Sequence, residues 1–91
     1  MTETVLTSRR ALLLGGGPPV AGRLRVSDRA VRFTPLAPAA PVEAALADVR
    51  RVALTRRGTA LVVVTDAGAL RLRCFGARAV ALLVVATLRE A

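Results

Sequence analysis

The chain is expected to fold as a mainly β domain with a carboxyl-terminal α-helix, and three features of the sequence carry that expectation. From Gly22 to Pro35, apolar residues alternate with arginines on both sides of Ser27-Asp28-Arg29, as in two half-buried strands about a tight turn. Short apolar runs then recur between Gly, Pro and Asp punctuation as far as Gly76. From Ala77 to Glu90 the period changes to that of a helix. Ninety-one residues suffice for one hydrophobic core but not for two that could each offset the entropy of ordering their chains. The expectation is one domain over 1–91, with residues 1–4 as a flexible amino terminus.

Val5 to Leu14 reads as a first strand, bulged or broken near Ser8. Gly15-Gly16-Gly17-Pro18-Pro19 ends it, because glycine costs backbone entropy in a strand and proline lacks the amide a ladder requires. This is not a phosphate-cradling loop: that motif needs Gly-Lys-Ser/Thr opening a helix, and here two prolines and a strand follow. In the hairpin that comes next, side chains repeat with period two. Leu24, Val26, Val31 and Phe33 are therefore expected inside, with Arg23, Arg25 and Arg32 on the other face and Arg29 beside them. Ser27 and Asp28 suit the turn because their short side chains bond nearby amides and tolerate left-handed backbone angles.

Residues 35–41 form a proline-punctuated connector. Val42 to Leu46 fits either a short edge strand or a helical turn. Val49, Val52 and Leu54, then Arg56-Arg57-Gly58, then Leu61 to Thr65 read as a second hairpin, with Gly58 supplying a positive φ. After the Asp66-Ala67-Gly68 turn, Leu70, Leu72 and Cys74 alternate with Arg71 and Arg73. Gly76 breaks that strand. The helix from Ala77 to Glu90 is expected to turn Val80, Leu83, Val84, Thr87 and Leu88 inward and Arg78, Leu82 and Arg89 outward. Leu82 and Val85 would then form an exposed apolar strip suited to a protein partner or a second copy.

Composition narrows the chemistry. With 54% hydrophobic residues and a mean hydropathy of +0.53 the chain is no disordered polymer, and with 2% aromatics its core is built from Val, Leu and Ala. The 14 basic residues are all arginine, and six acids leave a net charge of +8. That bias matches a GC-rich bacterial coding sequence, yet the field it creates attracts phosphate whatever its origin. One cysteine allows no internal disulfide, and the absence of histidine removes the usual metal-ligand sets. Met-Thr-Glu-Thr lacks the order of a signal peptide, and the apolar run Ala79 to Leu88 is about half of the roughly 20 residues of a membrane span. A soluble, reducing, cytoplasmic setting is expected.

Gly22-x-Leu24-x-Val26-Ser27-Asp28-x-x-Val31-x-Phe33-x-Pro35 resembles the signature of GRAM domains and the related bacterial PH-like domains. Leu46, Asp48 and Val49 resemble that family's "leucine, Asp, aliphatic" step, Leu61 to Val64 with Asp66-Ala67-Gly68 its later hairpin, and Leu70 to Phe75 with the apolar tail its last strand and closing helix. The resemblance spans roughly residues 5 to 90, and arginine or alanine stands where the family often has aromatics. It implies a PH-like, GRAM-type fold: a strongly bent antiparallel sheet or partly open barrel of about seven strands capped by one helix. It also favours strand for Val42 to Leu46. Arg10 followed by Arg23-Leu24-Arg25-Val26 resembles the basic pattern by which many PH domains hold inositol phosphates.

Catalysis finds little to work with: six carboxylates, no histidine, lysine or tyrosine, and a thiol on the apolar face. Turn geometry accounts for Asp28, Asp48 and Asp66, and Cys74 reads as a small hydrophobe. The expected function is therefore noncatalytic binding without cofactor, metal or small-molecule substrate. The module would dock on a protein partner or engage an anionic, phosphoinositide-like membrane surface peripherally at the inner face. Arg10, Arg23, Arg25, Arg32, Arg71 and Arg73 are the candidate anion-binding residues, expected to converge at the mouth beside Gly15 to Pro19, because guanidinium forks grip phosphate oxygens. Weak, nonspecific nucleic-acid binding is the alternative. It is disfavoured because single-strand binders stack bases on aromatics, and Phe33 is expected inside, leaving Phe75 alone for the surface.

Overall fold

The computed structural model describes residues 3–55 and 58–90. Seven antiparallel strands form one open sheet with a single helix behind it: β1 (Val5–Leu14), β2 (Val20–Ser27), β3 (Ala30–Pro35), β4 (Val42–Ala45), β5 (Val49–Leu54), β6 (Ala60–Thr65), β7 (Gly68–Cys74) and α1 (Ala77–Glu90). The strand order is β4-β3-β2-β1-β7-β6-β5. The long β1 is the seam, pairing with β2 from Val5 to Leu13 and with β7 from Ala11 to Leu14. The mainly β architecture expected from the sequence, about seven antiparallel strands closed by one carboxyl-terminal helix, is thus present.

The central hairpin has the expected register, with Leu24 opposite Phe33 and Val26 opposite Val31. All four of these side chains are fully buried, joined in the core by Leu61, Val63 and Leu72 from the other half of the sheet and by Val80 and Val84 from the helix. Burying each such side chain contributes about 1.5–3 kcal/mol, so a core with one phenylalanine needs nearly every inward position filled. Gly22 shows how closely it is packed. A Cβ there would stand 2.6 Å from Phe33 Cζ and 2.9 Å from Pro35 Cα, so only glycine lets the ring lie across the start of β2.

Several details depart from expectation. The irregularity in β1, expected near Ser8, lies between Val5 and Thr7: Leu6 is the extra residue, next to the point where Thr4 and Asp28 exchange hydrogen bonds. Those bonds, Thr4 N–H to Asp28 Oδ1 at 3.1 Å and Asp28 N–H to Thr4 O at 3.0 Å, tie Thr4 to the central turn. Met1 and Thr2 lie outside the described residues, as do Arg56 and Arg57 of the second hairpin's turn. The Ser27-Asp28-Arg29 turn uses no left-handed residue, since among the described residues only glycines have positive φ. Instead the buried Ser27 hydroxyl accepts from the N–H groups of Arg29 and Ala30 at 3.2 and 3.0 Å. Val42 to Leu46 divides between the two readings, a strand to Ala45 and then a 3-10 turn over Leu46–Asp48. Gly58 has the positive φ expected of it, 65°.

The helix occupies the expected residues but is rotated. Its buried side is Ala77, Val80, Ala81 and Val84, with Leu88 packed against the core, whereas Leu83 and Thr87 are half-buried flanks. Small residues at 77 and 81 let the helix sit close to β5 and β6, which larger side chains there would prevent. Thr87 Oγ1 donates to the Leu83 carbonyl at 2.8 Å instead of entering the core. The sheet's outer strands carry charge: Arg32 meets Glu43 at 3.5 Å beside β4, and β5 bears Arg50, Arg51 and a register shift between Val49 and Arg51. Charge and irregularity are the usual guards against edge-to-edge pairing.

Candidate anion-binding cleft

In the strands around the seam, inward and outward positions alternate. Ala11, Gly22 and Leu24 are buried, so Arg10, Arg23 and Arg25 emerge on the outer face, away from the core. Arg10 stands opposite Arg23, Arg25 opposite Arg32, and Leu12 opposite both Ala21 and Arg73. Like charges directly opposite one another destabilise a strand pair, and an anion between them relieves that repulsion.

Arg10, Arg23 and Arg73 line one cleft of about 750 Å³, whose remaining wall is largely apolar: Leu12, Ala21, Leu36, Cys74 and Phe75. Among the described residues the two ion pairs are Arg32–Glu43 and Arg50–Asp66, and neither draws on these three arginines. Arg23 Nη1 donates to Ser8 Oγ at 3.1 Å, which orients its guanidinium without cancelling its charge. A second cleft of about 560 Å³ shares Arg23 and Leu36 and adds Arg25 and Arg32. It is electrostatically weaker, because Glu3 is in its wall and Glu43 neutralises Arg32.

Of the six arginines expected at the site, Arg10, Arg23 and Arg73 share one cleft and Arg25 and Arg32 the adjoining one. Arg71, opposite Leu14, lines neither, and neither does the Gly15 to Pro19 loop. The basic residues gather on the face of the sheet and not around that loop, because they project sideways from the middle of strands.

No family model and no curated protein matches the chain. A solved structure does: the crystal structure of the C-terminal domain of an unknown protein from Leishmania infantum superposes with a TM-score of 0.80 at 15% identity, covering 94% of this chain and 84% of that one. The likeness is one of fold.

Two side chains on the cleft's rim were not legible as a pair. Phe75 is 95% exposed and Leu36 is 81% exposed, the highest values among the large hydrophobic residues described. Their backbones are fixed. The Leu36 N–H donates to the Ala21 carbonyl at 3.0 Å, and the Phe75 carbonyl accepts from Arg9 Nη1 at 3.0 Å. Gly76, with φ of 67°, then turns the chain into the helix. Phe75 was open to a surface role in the sequence, but nothing local marked Leu36 or Arg9.

Cys74 is half-buried in the cleft wall, where desolvation raises its thiol above the ordinary value and the nearby Arg9 charge partly offsets the rise. Two of the three aspartates are engaged structurally. Asp28 accepts from the Thr4 amide, and Asp66 forms a two-pronged pair with Arg50, at 2.8 and 2.7 Å, while Thr65 Oγ1 holds the Asp66-Ala67 turn. No described helix is long and apolar enough to cross a membrane.

Proposed function

We propose that this chain is a GRAM-type, noncatalytic binding module that engages an anionic, phosphate-bearing membrane surface from the cytoplasmic side. The observation that carries the reading is the cleft in which Arg10, Arg23 and Arg73, from three neighbouring strands and without carboxylate partners among the described residues, meet an apolar wall. Guanidinium groups held side by side can share phosphate oxygens through charge-assisted hydrogen bonds. The GRAM assignment is supported by physical reasons for the motif residues: Gly22 makes room for Phe33, and Ser27 closes the turn with its hydroxyl.

The test is sedimentation with vesicles of neutral, anionic and phosphoinositide-containing composition at low and physiological salt. Binding to the charged vesicles that weakens with salt supports the reading; no pelleting even at low salt overturns it. Docking of a protein partner on the helix is the second reading, favoured by Leu82 at 64% exposure. Val85 is half-buried and adds little to that surface, so Leu82→Glu is the variant that tests it in pull-downs.

A further inference from the structure

We propose that Leu36 and Phe75 are a pair of membrane wedges: they enter the acyl boundary of the bilayer while Arg10, Arg23 and Arg73 between them take lipid phosphates. The inference rests on the membrane reading above and adds to it which side chains leave water, and hence which way the domain faces the bilayer.

Four observations point this way. Leu36 and Phe75 are the most exposed large apolar residues described, and both stand on the rim of the cleft that holds Arg10, Arg23 and Arg73. They come from different elements, the connector after β3 and the turn before α1, yet each is tied by its backbone to the sheet, at Ala21 and at Arg9 respectively. Rigid apolar tips lose little entropy on insertion. Arginine stems meanwhile lie along apolar surface and leave the charged end at headgroup depth, where phosphates are found.

The same geometry discriminates against other occupants. A single-stranded nucleic acid needs successive aromatic platforms; Phe33 is buried, and Leu36 cannot stack a base.

The chain contains no tryptophan or tyrosine, so Phe75→Trp introduces a lone fluorophore of this class at an exposed site. With vesicles of phosphatidylcholine containing about one-third phosphatidylserine, the emission of the Phe75→Trp variant is expected to shift to the blue. It should be quenched by lipids brominated near the top of the acyl chain, with no response to pure phosphatidylcholine. The Leu82→Trp variant, substituted on the helix and outside both clefts, is expected to stay unquenched. Phe75→Ala and Leu36→Ala should each weaken vesicle binding, Phe75→Ala by roughly tenfold, as loss of one inserted aromatic requires. If vesicles pellet the protein while the Phe75→Trp variant remains unquenched, or if the Leu82→Trp variant is quenched instead, the wedge assignment is wrong and the membrane reading stands. If no vesicle pellets the protein, both fall. A response of the Phe75→Trp variant to a single-stranded oligonucleotide but not to vesicles overturns both in favour of nucleic acid.

Discussion

Arg9 reaches from β1 to the turn before α1 and donates from Nη1 to the Phe75 carbonyl at 3.0 Å, while its Nε donates to Thr7 Oγ1 at 3.3 Å. This one side chain joins the seam strand to the base of the closing helix. It also occupies the space beside Gly76, where an added Cβ would meet the guanidinium. Arg9→Ala is expected to cost about 0.5–1 kcal/mol, the net worth of a partly exposed hydrogen bond. Gly76→Ala adds left-handed strain to that clash and should cost at least about 1 kcal/mol. Urea unfolding midpoints for the two variants check both values, and a Gly76→Ala variant as stable as the parent would contradict this description of the turn.

Gly22→Ala forces a methyl group against the Phe33 ring and the Pro35 backbone, so about 1–3 kcal/mol of destabilisation is expected from overpacking. Gly17→Ala is the contrast, since its added Cβ would meet nothing within 4 Å and φ there is not positive. The pair should separate clearly in thermal melts, with the position 22 variant alone shifted downward.

The Arg50 guanidinium holds the Asp66 carboxyl below its ordinary value of 3.8. A carboxyl lowered by folding stabilises the native state fully above its unfolded value, and that contribution is lost as pH falls through the folded one. The stability difference between the parent and Asp66→Asn should therefore be steady near neutrality and vanish in strong acid. Because both partners are exposed, added salt should also shrink it. Denaturant midpoints across an acid pH series, at two ionic strengths, measure this.

Cys74 is shifted the other way, above its ordinary 9.0, chiefly by desolvation. Only the thiolate alkylates readily. The pH at which iodoacetamide reactivity reaches half its plateau should lie higher in the native protein than in urea, and higher again in Arg9→Ala, which removes the charge favouring the thiolate. A midpoint unchanged by Arg9→Ala would show that the guanidinium does not act on the thiol.

The central hairpin was legible because period-two alternation leaves one assignment of faces for Leu24, Val26, Val31 and Phe33, and Gly76 marked the helix start for a local reason. The helix face was harder to read, because Ala77 to Leu88 is apolar nearly all round and several stripes satisfy its period. Packing chose the stripe with alanines at 77 and 81. The cleft depended on more distant relations. Which strand lies beside β1 on its second edge decides that Arg73 joins Arg10 and Arg23 and that Arg71 does not, and that pairing is nonlocal. Likewise Leu36 and Phe75 look like ordinary apolar residues at the ends of strands; the backbone geometry beyond Pro35 and Cys74 turns them outward.

Whether the arginines act as a site or only as bulk charge is decided by two charge-matched variants, Arg10→Gln/Arg23→Gln/Arg73→Gln and Arg51→Gln/Arg78→Gln/Arg89→Gln, titrated with anionic vesicles at physiological salt. The first set lines the cleft; the second is exposed on β5 and α1, outside both clefts. Loss of binding in the first variant alone is the predicted result, and equal weakening of the two would contradict a localised site.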